Sequence, residues 1–455
     1  MSGAIRAALI AQAAPLGAAA IILLFLRRHR ALSAGLAILA VTASLVAAIY
    51  LVAHIAVPGG SALVEHAWLP IGDGTGLAFG VLLDTLSATM ALVVSAVTLL
   101  VMVYSLGYMA GDPGHARYFG FLSLFAAAML GLVLASNLLQ TLVFWELVGL
   151  ASFLLIGFWF EQPAPAAAAR KAFVMTRVGD IGFLLGVLLL LRALGNATIP
   201  DVVAAAASGG GAFTPRFTAT VAALLLMGVA GKSAQGPLFT WLPDAMAGPT
   251  PVSALLHSAT MVAAGVFLVA RLHGLFAAAP AVMHFLLWMS LITAVAAATM
   301  AMVAEDIKRV LAYSSISQLA YMLMALAAGS VGAGFFHLVT HAGFKALLFL
   351  SAGIFIHHAH ANEMRAIAMH HPRRQWPAVV GLTCGALALA GVIPFAGYFS
   401  KEAVLATLGS SGNLALALAY GTAGLTAYYA ARMLFLTLSG PPVPRSPGCP
   451  APDAR

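Results

Sequence analysis

The chain has five lysines, and three of them, Lys232, Lys345 and Lys401, fall inside apolar stretches. A charged side chain near the centre of a bilayer costs about 2.5–3.5 kcal/mol on insertion scales. Other ionisable residues stand in equally apolar surroundings: Glu146 in LVFWELVGL, Arg177 and Asp180 in KAFVMTRVGDIGF, His257 in SALLHSATM, and His337 and His341 in FFHLVTHAGFKALLF. Carboxylates, amines and imidazoles all take up and release protons. Gathered in an apolar interior, they suit the passage of a charged species, most simply the proton.

The spacing and surroundings of each residue sharpen this. A buried carboxylate such as Glu146 is either protonated or paired with a cation. Its own run supplies no cation, so the functional reading stands ahead of a structural ion pair. Arg177 and Asp180 are three residues apart and share a helix face. They form either a plain salt bridge near the membrane edge or a pair in which Asp180 exchanges partners and tunes a neighbour. Lys232 follows Gly231 in an interrupted run, GKSAQGP. Burial disfavours the charged form of lysine, so such a residue can give up and regain a proton near neutral pH. Glu146 is its expected partner, and a lysine snorkelling to the interface is the alternative.

His337, His341 and Lys345 repeat every four residues and line one stripe of a helix. Imidazole titrates near neutrality and suits a relay. His337 and His341 could ligate a metal, but no third ligand is evident. His257 fits a relay or a hydrogen-bonded core residue. Lys401 with Glu402 reads as a terminal station of the path or as an interfacial charge pair. The HHAH run at 357–360 and His370-His371 read as interfacial loop residues.

The elements that must hold these groups are membrane helices. Of 455 residues, 62% are hydrophobic and 8% charged, whereas a soluble domain carries about 25% charged residues. The formal charge of +8 reflects loop arginines rather than nucleic-acid binding. Cys384 and Cys449 form no CxxC cluster and no GxGxxG opens a helix, so neither an iron–sulfur or structural zinc site nor a dinucleotide fold is expected. A span needs about 20 apolar residues. About thirteen are expected: 5–26, 31–57, 81–104, 117–135, 137–160, 172–194, 216–236, 250–272, 281–303, 308–328, 331–356, 376–404 and 412–439. The first is read as a membrane helix, with a cleaved signal peptide as the alternative. Residues 58–80 read as an external hairpin or turn-rich loop, and 440–455 as a disordered tail.

Arginines and lysines cluster in alternate connections, which places the N-terminus outside and the C-terminus in the cytoplasm. GKSAQGP and GVIPFAG interrupt the seventh and twelfth spans, because proline removes a helix donor and clashes with the preceding turn. Interruptions at matching places suggest inverted repeats with the ion site at the breaks. The expected division is residues 1–116, then five-helix repeats at 117–272 and 273–439, with Lys232 and Lys401 as symmetry mates.

GKSAQGPLFTWLPDAMAGPTPVSALLHSATMVAAGVFLVARLHGLF, over 231–276, resembles the signature of the antiporter-like subunits of respiratory complex I. NLLQTLVFWELVGLASFLLIGFW, RKAFVMTRVGDIGF, EDIKRVLAYSSISQLAYM, FHLVTHAGFKALLFLSAG and PFAGYFSKE fit in order, so the resemblance covers about residues 60–440. It points to the L-subunit group of bacterial NADH–quinone oxidoreductase, the equivalent of mitochondrial subunit 5, with the A subunit of multisubunit sodium/proton antiporters similar. It implies an all-α polytopic fold of two inverted five-helix repeats. It also implies a central pair at Glu146 and Lys232, and further path residues at Asp180, His257, His337, His341, Lys345 and Lys401.

The expected function is a proton-translocating membrane subunit of complex I or a close relative, with no redox centre or cofactor on this chain. Its partners would be other membrane subunits of a complex I-like assembly, the lipid bilayer, and protons, with Na⁺ or K⁺ as alternatives and no nucleic acid. Members of the group usually continue with a long lateral helix, so a shortened paralogue or a split gene is expected. A cation/proton antiporter subunit and a membrane partner of a hydrogenase or inorganic-carbon transporter are the alternatives, as is a scaffold that anchors a catalytic partner.

Overall fold

The computed structural model describes residues 3–438 apart from 58, 73 and 74. The tail 440–455, with Cys449, lies outside the described residues. Three helices precede the residues expected to carry chemistry: α1 (Gly3–Leu24), α2 (Arg30–Ile55) and α3 (Thr85–Tyr108). Between α2 and α3 an antiparallel hairpin forms from β1 (Ala62–Gly72) and β2 (Thr75–Leu83), pairing Ala62 with Leu83. Then follow α4 (His115–Leu134), α5 (Leu138–Ile156), α6 (Pro163–Leu194), the short α7 (Ile199–Ser208) and α8 (Pro215–Lys232). The next stretch is broken into α9 (Trp241–Asp244), α10 (Thr250–Ser258), α11 (Ala263–Arg271) and α12 (His273–Ala277). The chain continues with α13 (Pro280–Val303), α14 (Ile307–Ala327), α15 (Val331–Ala359), α16 (Met364–Met369), α17 (Trp376–Ala390), α18 (Ala396–Leu408) and α19 (Asn413–Leu438).

Among the described residues, eleven helical stretches are long and apolar enough to cross a membrane, α10 and α11 counting as one. The chain is a multi-pass membrane protein. Its outer surface is apolar, with Leu39, Ile292 and Phe435 all more than 60% exposed, as a surface facing lipid tails requires. The expected seventh and twelfth spans are α8 and the α17–α18 pair.

The local rules of helix punctuation set the boundaries. Asp84 caps α3 through Ser87 N, Asn137 caps α5 through Gln140 N, and Asp306 caps α14 through the N–H groups of Lys308 and Arg309. Such side chains satisfy donors that the first turn leaves unpaired. Pro163, Pro215 and Pro280 open their helices, where a missing N–H costs nothing.

The structure departs from the sequence expectations in four places. The span at 250–272 is interrupted at 259–262, between α10 and α11. Ser233 Oγ donates to Val262 O at 2.7 Å and Thr260 Oγ1 to Leu255 O at 2.6 Å, so side chains take up carbonyls that the ladder abandons. The helix carrying Lys401 runs on to Leu408, so Lys401 is buried inside α18, and only Glu402 faces outward. His357 and His358 belong to the last turn of α15 rather than to a loop. Lys232 closes α8 before its break whereas Lys401 follows its own, so their places along the chain are not equivalent.

The two ends of the bundle are tied by different contacts. At one end Arg117 Nη2 donates to Phe158 O, Lys171 and Arg309 both meet Asp244, and Arg432 Nη1 donates to Ala304 O. At the other, Glu65 of the hairpin accepts from Ser136, Asn137 and Thr198, and Arg271 pairs with Asp84. Arg117, Lys171 and Arg309, from three of the basic connections, thus share one end.

Candidate functional site: a buried file of lysines and histidines

The site begins where α6 and α8 touch. A Cβ at Gly179 would stand 2.6 Å from Met227 O, and one at Gly228 would stand 2.8 Å from Phe183 Cβ. Such close backbone approach is the usual use of small residues between membrane helices. It brings Asp180 of α6 to Lys232 at the end of α8, with Nζ to Oδ2 at 3.5 Å. Trp145 of α5 donates to the other carboxylate oxygen, Asp180 Oδ1, at 2.5 Å, and its ring lies 5.7 Å from Lys232 Nζ. Lys232 is fully buried.

Glu146 is placed differently from the sequence expectation. It pairs with Arg177 rather than Lys232. Arg177 also reaches Asp180 Oδ2 at 3.6 Å and packs over the Phe173 ring at 4.6 Å. The four charges form one chain, Glu146–Arg177–Asp180–Lys232, in which each cation has a carboxylate and Asp180 stands between two cations. Arg177 and Asp180 do pair across one helix face, as their spacing implies.

Beyond Lys232 the file continues through rings. Trp241 Nε1 donates to Gly231 O at 3.1 Å, and its ring centroid is 6.2 Å from that of His257. His257 is fully buried, and neither ring nitrogen has a hydrogen-bond partner among the described residues. The Phe349 ring lies 6.2 Å from His257 on one side and 5.8 Å from Lys345 Nζ on the other.

His341, His337 and Lys345 line one stripe of α15. His341 Nδ1 lies 3.1 Å from Ser258 O, a carbonyl at the α10–α11 break. The rings of His341 and His337 are 6.3 Å apart. His337 is held at both nitrogens, by Ser400 Oγ at 2.9 Å and Gln318 Oε1 at 3.1 Å. Lys345 donates to Leu311 O at 2.8 Å and to Ser314 Oγ. Lys401, next to Ser400, donates to Leu389 O at 2.5 Å. That carbonyl lies in the last turn of α17, where Gly391 at φ +82° ends the helix and Pro394 supplies no N–H. The break therefore presents backbone acceptors to an ammonium that has no paired carboxylate among the described residues.

Three participants escaped the sequence reading. Lys308, at the basic connection before α14, is buried and donates to Gly248 O at 2.7 Å. Trp145 and Ser400 hold Asp180 and His337, with no signal beyond a polar edge in an apolar run. Among the described residues no three His, Cys, Asp or Glu side chains gather as a metal site. The histidines at 357–360 stand apart from the file and, with Tyr104 and Tyr108, line a cavity of about 410 Å³.

Fold and site together define a polytopic membrane protein with a buried file of titratable side chains crossing its interior. Residues 135–426 match the family described as NADH:quinone oxidoreductase/Mrp antiporter, TM, and residues 68–119 match NADH-Ubiquinone oxidoreductase (complex I), chain 5 N-terminus. The chain belongs to the NADH:quinone oxidoreductase/Mrp antiporter family. It is 47% identical over 382 residues to NAD(P)H-quinone oxidoreductase chain 5 of Synechocystis sp., covering 80% of this chain and 55% of the relative. It is 48% identical over 386 residues to the chloroplastic subunit 5 of Zygnema circumcarinatum, covering 82% and 55%. The chain thus spans about half the length of these curated relatives. Among solved structures, a chain of the Mrp complex from Dietzia sp. superposes with a TM-score of 0.84 at 31% identity, covering 95% of this chain and 48% of that one. A chain of the membrane-bound sulfane sulfur reductase, an archaeal respiratory membrane complex, shares the fold at 22% identity with a TM-score of 0.85, covering 95% and 88%.

Proposed function

We propose that this chain is a proton-translocating membrane subunit of an NADH–quinone oxidoreductase or a close relative. The observation that carries the reading is the buried file Lys232, His257, His341, His337, Lys345 and Lys401, set in a chain similar to quinone oxidoreductase subunits. Fully buried lysines and histidines are costly in a membrane interior and serve ion pathways by default. Protons would pass along this file, with water bridging the gaps between rings. The Glu146–Arg177–Asp180–Lys232 chain would act as its switch. If Arg177 took Asp180 for itself, Lys232 would lose its counter-charge and release its proton. If Glu146 were freed from Arg177, it could take over as the partner of Lys232. No redox step falls to this chain in the proposal, and electrons would be handled by partner subunits.

One face supports a neighbouring membrane subunit. The side chains of Arg177 and Glu146 are 30% and 32% exposed. Around them Val143, Leu150, Val174, Val178 and Ile181 are exposed apolar residues. An ion pair opening sideways among lipid-facing residues is unfavourable against hydrocarbon alone, and a partner subunit packed there would cover it. The positive-inside rule places the basic end in the cytoplasm and the N-terminus outside, in the cell's inner membrane. The division into repeats at 117–272 and 273–439 is proposed on the interrupted α8–α9 and α17–α18 segments.

A second reading, a cation/proton antiporter subunit, is favoured by the likeness to the Mrp complex chain at 31% identity. Proton uptake into proteoliposomes, with and without a sodium or potassium gradient, separates the two. Cation-driven uptake lost in Lys232→Ala supports the antiporter. Proton movement that needs the assembled, electron-fed complex, and is lost in Lys232→Ala and Glu146→Ala while both variants insert, supports the redox-driven subunit. Normal pumping in both variants would overturn either reading and leave a scaffold.

A further inference from the structure

A cavity of about 380 Å³ opens at the basic end of the bundle, away from the buried file, between the start of α4, the end of α5 and the start of α6. Its lining divides by chemistry. Arg117 and Arg170 supply positive charge, while Phe121, Phe153, Leu154 and Phe160 supply an apolar wall. Arg117 is fixed rather than waving. Its guanidinium lies 4.9 Å from the Phe158 ring centroid and 5.0 Å from that of Phe160, and Nη2 donates to Phe158 O at 3.1 Å. Its Nε is buried without a hydrogen-bond partner among the described residues.

A nearby carboxylate, Asp112, keeps its charge but forms no ion pair with Arg117 among the described residues. Asp112 accepts from Gly114 N at 2.7 Å and from Trp159 Nε1 at 2.9 Å. Among the described residues neither Arg117 nor Arg170 forms an ion pair, whereas Lys171, the next residue, is paired with Asp244. Arg170 is exposed and lines the cavity. Phe160, at 57% exposure, extends the apolar wall outward.

We propose that this cavity is a binding site for an anionic phospholipid, with the headgroup phosphate between Arg117 and Arg170 and an acyl chain along the phenylalanine wall. Guanidinium is the side chain best matched to a phosphate, and basic pockets between membrane helices on the cytoplasmic side recognise anionic headgroups. Charge at the mouth combined with an apolar wall fits a lipid, whereas a free phosphate would use only the arginines. A lipid lodged there would contact α4, α5 and α6 together and steady the connection at 157–162, which leads into the helix bearing Arg177 and Asp180.

The test is native mass spectrometry of the full chain purified in micelles doped with equal amounts of phosphatidylglycerol and phosphatidylcholine. One phosphatidylglycerol is expected to be retained in preference to phosphatidylcholine. Each basic group near a membrane surface contributes about fivefold in affinity, so Arg170→Gln should lower retention about fivefold and Arg117→Gln with Arg170→Gln further. Arg170 is exposed and forms no ion pair among the described residues, so Arg170→Gln keeps the test open even if Arg117→Gln disturbs the fold. Arg28→Gln, an exposed arginine of the same end, should leave retention unchanged. Three outcomes would each overturn the proposal: equal retention of phosphatidylcholine, wild-type retention in both pocket variants, or loss in Arg28→Gln as large as in Arg170→Gln. Displacement of the lipid by millimolar inorganic phosphate would show that the site takes a free anion instead.

Discussion

Lys232 Nζ stands 3.5 Å from Asp180 Oδ2, while Glu146, the carboxylate that its surroundings nominate for that lysine, is turned to Arg177. Asp180 is therefore the group on which the charge of Lys232 depends. It is held in place from the opposite side by Trp145, so its second oxygen alone is left to be shared between Arg177 and Lys232.

Replacing Asp180 by asparagine should leave a fully buried lysine without its counter-charge. Breaking such a pair costs about 3–5 kcal/mol, and Lys232 would shed its proton instead. Proton flux is expected to fall at least about tenfold, the effect of one pKa unit. Asp180→Asn combined with Lys232→Ala should lose no more flux than Lys232→Ala alone, because Asp180 acts through that lysine. Flux measured in the single and double variants decides this, and additive losses would separate the two residues.

Gly149 offers a gentler perturbation. A Cβ there would come within 2.7 Å of Lys232 Nζ, the far end of a flexible side chain. Gly149→Ala should therefore fold with stability changed by less than about 1 kcal/mol, in the range of ordinary helix substitutions. The ammonium would be pushed from its present place beside Asp180. Proton flux should drop about tenfold although no titratable group has been removed. An unaltered flux would mean that the position of Lys232 is not critical.

At the second break, Gly391 adopts φ +82°, a conformation that costs an L-residue about 1–2 kcal/mol. Gly391→Ala should lower thermal stability in detergent by about that amount. The added Cβ would meet Lys401 Cδ at 3.4 Å, an ordinary contact, so flux per folded molecule should hold. Loss of flux without loss of stability would contradict the geometry.

Acid should loosen the tie between α3 and α11. Burial raises the Asp84 carboxyl, but the Arg271 guanidinium, as a charge and as a donor, and the Ser87 N–H outweigh it and hold the group below the ordinary 3.8. A carboxyl depressed in the folded state contributes stability that is complete above the unfolded value and lost as pH falls through the folded one. Wild type should therefore lose more thermal stability than Asp84→Asn between about pH 5 and pH 3. Parallel curves in circular-dichroism melts would rule this out.

The groups of the file were legible because a charge in an apolar run is conspicuous, and because His337, His341 and Lys345 share a helical period. Their partners were not. Lys308 donates to a carbonyl sixty positions away, and only the packing of α14 on the 245–250 segment reveals that this charge of a basic connection is buried. The interruption between α10 and α11 carries no proline, and glycine enters only at Gly265, inside α11. At that interruption Ser233 reaches across from another segment to Val262 O, a partner that the local sequence does not name. The pairing of Glu146 with Arg177 joins α5 to α6, and no spacing along one helix encodes a contact between two helices.

The acceptors around Lys345 and Lys401 are Leu311 O, Ser314 Oγ and Leu389 O, and no carboxylate is paired with either lysine among the described residues. Dipoles can solvate a cation but carry no net charge to cancel it, so two neighbouring ammonium groups there would repel each other. In the proposed path, this stretch accommodates one excess charge at a time. Arrival of a proton at one lysine then requires the other to be vacated, and traffic across the C-terminal half becomes a matter of queueing rather than of pairing.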